Sequence, residues 1–165
     1  MTYKHDKNGV IDIPFKLLIT VIIMAFTITI AFSGLDHYSK ISAENNLKAQ
    51  IDRIVGIARS VDSSGNGTAQ TLTDVKIEGT LMATVEYVII GDKKTGANKS
   101  MIRYKISGLS KKSELVQDAN GRDIVLTTEK DRELKLHTGT YNINFKKVVE
   151  GSGVNMKSYL IMTIV

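Results

Sequence analysis

The chain has no cysteine. That absence excludes disulfide staples, thiolate metal sites and cysteine nucleophiles, and it leaves packing to hold any domain together. It does not exclude a place outside the cytoplasm. Proline occurs once, at Pro14. Dense basic runs are also missing, because the net charge of +5 is spread along the 165 residues. A nucleic-acid surface gathers Lys and Arg on one face beside aromatic platforms, so nucleic acid is not an expected partner.

Chemical motifs are scarce as well. No GxSxG, HExxH, P-loop or GxGxxG occurs. The histidines His5, His37 and His137 lie in three different regions, too far apart in sequence to suggest a shared metal. Glu114, Asp118, Asp123, Glu129, Asp131 and Glu133 fall in turns or on polar strand faces among lysines. The turn stretches DKKTGANKS and DANGRD have too few alternating carboxylates for a calcium loop. The expectation is a protein that is not an enzyme and that carries no catalytic, metal or cofactor site.

What is present starts with LLITVIIMAFTITIAFSGL, residues 17–35, without one charge. A membrane-spanning helix needs about 20 mostly apolar residues, and its Thr hydroxyls can bond back to helix carbonyls. Lys4, Lys7 and Lys16 precede the run. Lys40 is the nearest basic residue after it, with Asp36 and Glu44 close by. That asymmetry predicts a single-pass protein of the cell membrane, N-terminus cytoplasmic and C-terminal domain outside. A competing reading is a secretory signal cut after Ser33, in the small-x-small triplet Ala31-Phe32-Ser33. Signal cores are typically only about 7–15 residues long, shorter than this run.

Beyond the run, Leu47, Ile51, Ile54, Ala58 and Val61 recur at spacings of four and three. This is the apolar stripe of an amphipathic helix over 36–64, with Lys48, Gln50, Asp52, Arg53 and Arg59 mainly on the other faces. The SSGNG cluster ends it. One helix from about Pro14 to Asp62 would measure on the order of 70 Å. Its stripe needs a cover, either its own following domain or other copies of the same helix.

From residue 69 the period changes to two. Thr80–Ile90 sends Leu81, Ala83, Val85, Tyr87 and Ile89 to one side. Ser100–Ser107 and Thr140–Lys147 alternate likewise, and residues 154–165 read as a further strand. Weaker strands fall at 71–77, 113–117, 123–128 and 132–137. The fold class is therefore α+β: a long N-terminal transmembrane helix, then an antiparallel β-sheet or β-sandwich head over 65–165. Asn66 and Asn98 open N-x-[ST] sequons in expected loops and are candidate N-glycosylation sites.

Charged leader, glycine, apolar helix, amphipathic extension and β head together resemble a type IV pilin, most like those of archaea. The resemblance rests on the first 65 residues and on the overall layout. It implies that a prepilin peptidase removes MTYKHDKNG, residues 1–9, cutting between Gly9 and Val10. Residues 10–35 would then form the core of a surface filament, such as serves cell adhesion, with partners that are copies of itself or other pilin-like subunits. Pro14 would be the fifth mature residue, and a proline so early is familiar among archaeal pilins.

The same residues have a physical reading of their own. Asp12 is placed to cap a helix beginning near Ile13, with Pro14 in its first turn. Asp12 also lies four residues before Lys16. In a filament core Asp12 would offset Lys16 or a neighbouring subunit's N-terminal amine. Otherwise both charges sit at the cytoplasmic interface. The alternative function is a monomeric single-pass anchor holding a β-sandwich binding module outside the membrane, as an archaellum accessory subunit would.

Overall fold

The computed structural model describes residues 8–151 and 156–165, with side chains from Pro14 onward. Residues 1–7 of the expected leader lie outside the described residues, as do positions 152–155 of the expected EGSG turn and last strand. One helix, α1, runs from Asn8 to Ser63. By its internal contacts the chain divides after Tyr38, and Ser39–Val165 forms the second unit.

The start of α1 differs from the sequence expectation. The helix begins at Asn8, so Asp12 is not its cap, and Pro14 lies inside it. Proline lacks the N–H that would bond the carbonyl four residues back. Here the continuous helical register of the apolar run overrides that local stop. Within the span, the Thr20, Thr27 and Thr29 hydroxyls donate to the carbonyls of Lys16, Ile23 and Ala25 at 2.8–2.9 Å. Each threonine thereby hides its polar hydrogen on its own helix.

Among the described residues the head holds eight strands: β1 Ala69–Ile77, β2 Val85–Ile90, β3 Met101–Ile106, β4 Lys112–Leu115, β5 Leu126–Thr128, β6 Leu134–Leu136, β7 Gly139–Glu150 and β8 Lys157–Ile164. They form two four-stranded sheets, β1-β7-β8-β5 and β4-β3-β2-β6. All pairings are antiparallel except β5 with β8, which is parallel. The sequence pointed to antiparallel pairing, because no helical crossover is available. The parallel pair arises without one, since β6 and β7 themselves make the return.

Two strands depart from simple alternation. In β1 the register shifts between Leu72 and Val75, and Asp74 adopts a left-handed φ of 58°. The bulge lets Leu72, Val75 and Ile77 all face the core. In β2 the register shifts between Val85 and Tyr87, so Val85, Val88 and Ile90 are buried, and Tyr87 and Ile89 lie on the other face. The expected strand also began too early. Residues 80–83 form a tight turn, with the Thr80 N–H donating to the Ala83 carbonyl at 2.6 Å.

The two sheets meet through β5. The Leu126 N–H donates to the Lys99 carbonyl, and the Leu126 carbonyl accepts from Asp92 N–H. Gly91 makes this closeness possible: a Cβ there would lie 2.0 Å from the Leu126 carbonyl oxygen, and its φ is +67°. The outer half of α1 shares one hydrophobic core with both sheets, including Phe145, Ile143, Leu126, Leu160 and Ile102.

Candidate membrane and assembly segment

The candidate site is α1 itself. Its first part, Pro14 to Leu35, is long and apolar enough to cross a membrane. Every side chain there is exposed in the isolated chain, including Phe15, Ile22, Phe26 and Ile30. A helix that is apolar on all sides and has no protein cover suits a lipid solvent. The backbone at Gly9, Val10 and Asp12 is helical, while their side chains lie outside the described residues. The expected pairing of Asp12 with Lys16 therefore also lies outside them. Pro14 and Lys16 are exposed.

The second part of α1 behaves in the opposite way. Leu47, Ile51, Ile54, Ala58 and Val61 are each at most 1% exposed, and Ala43 and Val55 extend the same stripe. Their cover is the chain's own head. Polar side chains flanking the stripe fasten it at both margins. The Arg53 guanidinium donates to the carbonyls of Thr73 and Asp74, at the bulge of β1, at 3.0 and 3.1 Å. Arg59 Nε donates to the Gln117 carbonyl at 2.7 Å, just after β4. The Glu44 carboxylate pairs with Lys112 on β4. That carboxylate raises the Lys112 pKa, while burial, then Glu44, raises that of the Tyr104 hydroxyl.

The helix thus docks on β1 and β4, the strands furthest from the β5 and β6 side of each sheet. Its C-terminus carries no basic residue of its own. Lys147 of β7 supplies one, donating to the carbonyls of Asp62 and Ser64. A cation there meets both orphan carbonyls and the negative end of the helix dipole. Sequence periodicity placed Arg53 and Arg59 off the stripe but did not reveal these contacts. The available signal was that each adjoins a stripe residue, Ile54 and Ala58.

In the head, the Asn66 carboxamide oxygen accepts from the Val149 N–H at 3.0 Å in an exposed turn. Asn98 is half-buried in the β2–β3 connection. The Asp118 carboxylate is taken up within its own turn. One oxygen accepts the N–H groups of Asn120 and Arg122, and the other binds the Arg122 side chain, all at 2.8 Å. These bonds, led by the Arg122 N–H, lower its pKa. Lys94, Glu150 and Tyr159 cluster near the far end of β7. The Lys94 ammonium sits 3.8 Å from the Tyr159 ring centroid and 3.1 Å from Glu150. An open groove of about 540 Å3 runs between β6 and the end of β8, lined by Arg132, Glu133, Lys135, Met162 and Ile164 among others. Its charges are of both signs and most are exposed, as on an ordinary solvated surface. No known protein family, curated protein or solved structure matches the chain.

Proposed function

We propose that the chain is a membrane-anchored, pilin-like structural subunit. In this reading its leader is cut after Gly9, and the apolar half of α1 leaves the bilayer to pack against other such helices in a surface filament. The head then faces outward, and its partners are further copies or related subunits. The observation that carries the reading is the two-part helix. Residues 17–35 are apolar on every side and exposed, and one stripe of the same helix, from Ala43 to Val61, is buried under a β head. A helix of the first kind needs either lipid or other helices around it.

A second reading is the monomeric anchor with an outward β-sandwich. One observation favours it: the head already covers the stripe at Leu47, Ile51, Ile54, Ala58 and Val61. That stripe is therefore not free to pack on a neighbour, and assembly would rely mainly on the span. The intact mass and N-terminal peptide of the protein from its native host separate the two. A chain starting at Val10, in filaments released by shearing, supports the subunit. A start at Met1 or Thr2 with membrane retention supports the anchor, and a start at Gly34 removes both. If Asp12 balances charge in the filament, Asp12→Ala lowers filament yield, and an unchanged yield rules that pairing out.

A further inference from the structure

Among the described residues of the head, Leu81 is the most exposed large apolar side chain, at 97%, and Met82 beside it is also exposed. A lone exposed leucine is ordinary. This pair stands out for two reasons: its loop is held rigidly, and it lies at a particular end of the head. The Thr80–Ala83 turn is closed by its own hydrogen bond. The Thr80 and Ser39 hydroxyls bond each other, and the Met82 N–H donates to Ser39 Oγ at 3.2 Å. The Thr84 N–H is held by the Ser107 hydroxyl at 2.9 Å. At the base of the turn, a Cβ on Gly79 would lie 2.4 Å from the Ala83 carbonyl oxygen, so the two chain segments are in direct contact. A fold that spends a buried serine and several hydrogen bonds on a turn with an apolar tip is holding that tip in place.

Ser39 gives the location. It stands four residues, about 6 Å of helix rise, after Leu35, the last residue of the uncharged run. The turn is therefore bonded to the first residue of the head, where the chain passes on from the apolar run. The headgroup layer on each side of a bilayer is about 5–8 Å deep. Tyr38, 71% exposed, follows the apolar run by three residues, and aromatic side chains are enriched at membrane surfaces. The charges at this end of the head have both signs: Lys40, Lys111 and Lys112 against Glu44 and Glu78. Zwitterionic headgroups accept such a mixture, and the contact requires no anionic lipid.

We infer that the Thr80–Ala83 turn is a membrane-interface contact, with Leu81 and Met82 dipping into the headgroup layer of the bilayer that α1 crosses. It adds a second, non-helical foothold beside the span and restrains the head against the surface. The inference rests on the membrane-anchored reading above.

The chain contains no tryptophan, so one introduced tryptophan reports its own surroundings. The full-length variants Phe26→Trp, Leu81→Trp and Asn120→Trp are reconstituted in phosphatidylcholine vesicles, with and without dibrominated acyl chains. Phe26 lies in the apolar run. Asn120 is exposed in the turn after β4, at the end of the head where Arg59 reaches Gln117. Phe26→Trp and Leu81→Trp are expected to emit at shorter wavelength and to be quenched by the brominated lipid, with Asn120→Trp showing neither. If Leu81→Trp behaves like Asn120→Trp while Phe26→Trp is quenched, the interface contact is wrong and the anchor stands. If Phe26→Trp is not quenched, the anchored reading fails and the contact fails with it.

Discussion

Two stretches of one helix, residues 14–38 and 39–63, solve the same problem in different ways. Both carry many apolar side chains. In the first they point in all directions and stand exposed among the described residues. In the second they keep to one stripe, and the head buries it. Helix formation alone does not distinguish the two; the angular spread of the apolar residues does. A stripe calls for a protein cover, and a full cylinder calls for lipid or a bundle of like helices.

The sharpest way to break that comparison is the same substitution in both halves. Ile51→Arg buries an uncompensated charge in the core and is expected to cost more than about 4 kcal/mol, enough to unfold the head. Ile23→Arg leaves the head's denaturant midpoint unchanged. It instead penalises membrane insertion by about 2.5–3.5 kcal/mol, read as lost partitioning into vesicles. Equal head stability in the two variants would erase the distinction between the halves.

A milder version truncates the side chain. Ile51→Ala should destabilise the head by about 2–5 kcal/mol in denaturant titration, because it leaves a cavity. Ile23→Ala should stay within about 0.5 kcal/mol by the same measure. Arg53→Ala tests the clasp at the bulge of β1. Its two carbonyl contacts are solvent-exposed, so the expected loss is about 1 kcal/mol.

The smallest effect concerns pH and belongs to the head alone. The Tyr159 hydroxyl, then the Lys94 ammonium, hold the Glu150 carboxyl below its ordinary range. A depressed carboxylate contributes stability above its unfolded-state pKa and loses it as the pH falls through the folded value. Glu150→Gln should therefore lower the head's stability slightly near neutrality, flatten the acid end of its stability curve and converge with the parent chain at low pH. An acid limb as steep as that of the parent chain would assign the loss to other groups, Asp118 first.

Some of this was legible in the residue order. Seventeen to 35 without a charge and the four-three spacing from Leu47 to Val61 marked the two halves of α1, because burial and lipid exposure both act directly on helical periodicity. Strands β3 and β7 were equally plain: Ile102, Tyr104 and Ile106 face in, as do Ile143 and Phe145. The reading failed wherever the period of two is broken. At Asp74 and at Val85–Tyr87 a bulge moves the apolar set to a different face, and only the partner strand's register shows where. Leu81 and Ala83 fitted a strand by alternation, but the bonds of Ser39 and Ser107, distant in sequence, made that stretch a turn.

The sequence by itself determined that a long helix with an all-round apolar first half precedes a β-rich head, since those features depend on local pattern and burial. Only the tertiary structure decided that the head, and not another copy, covers the stripe. Only it brought β5 beside β8 in parallel, set Arg53, Arg59 and Lys147 as fasteners, and lifted Leu81 out of the core. Each of these depends on contacts between residues far apart in the chain, and such contacts leave no period in the sequence to read.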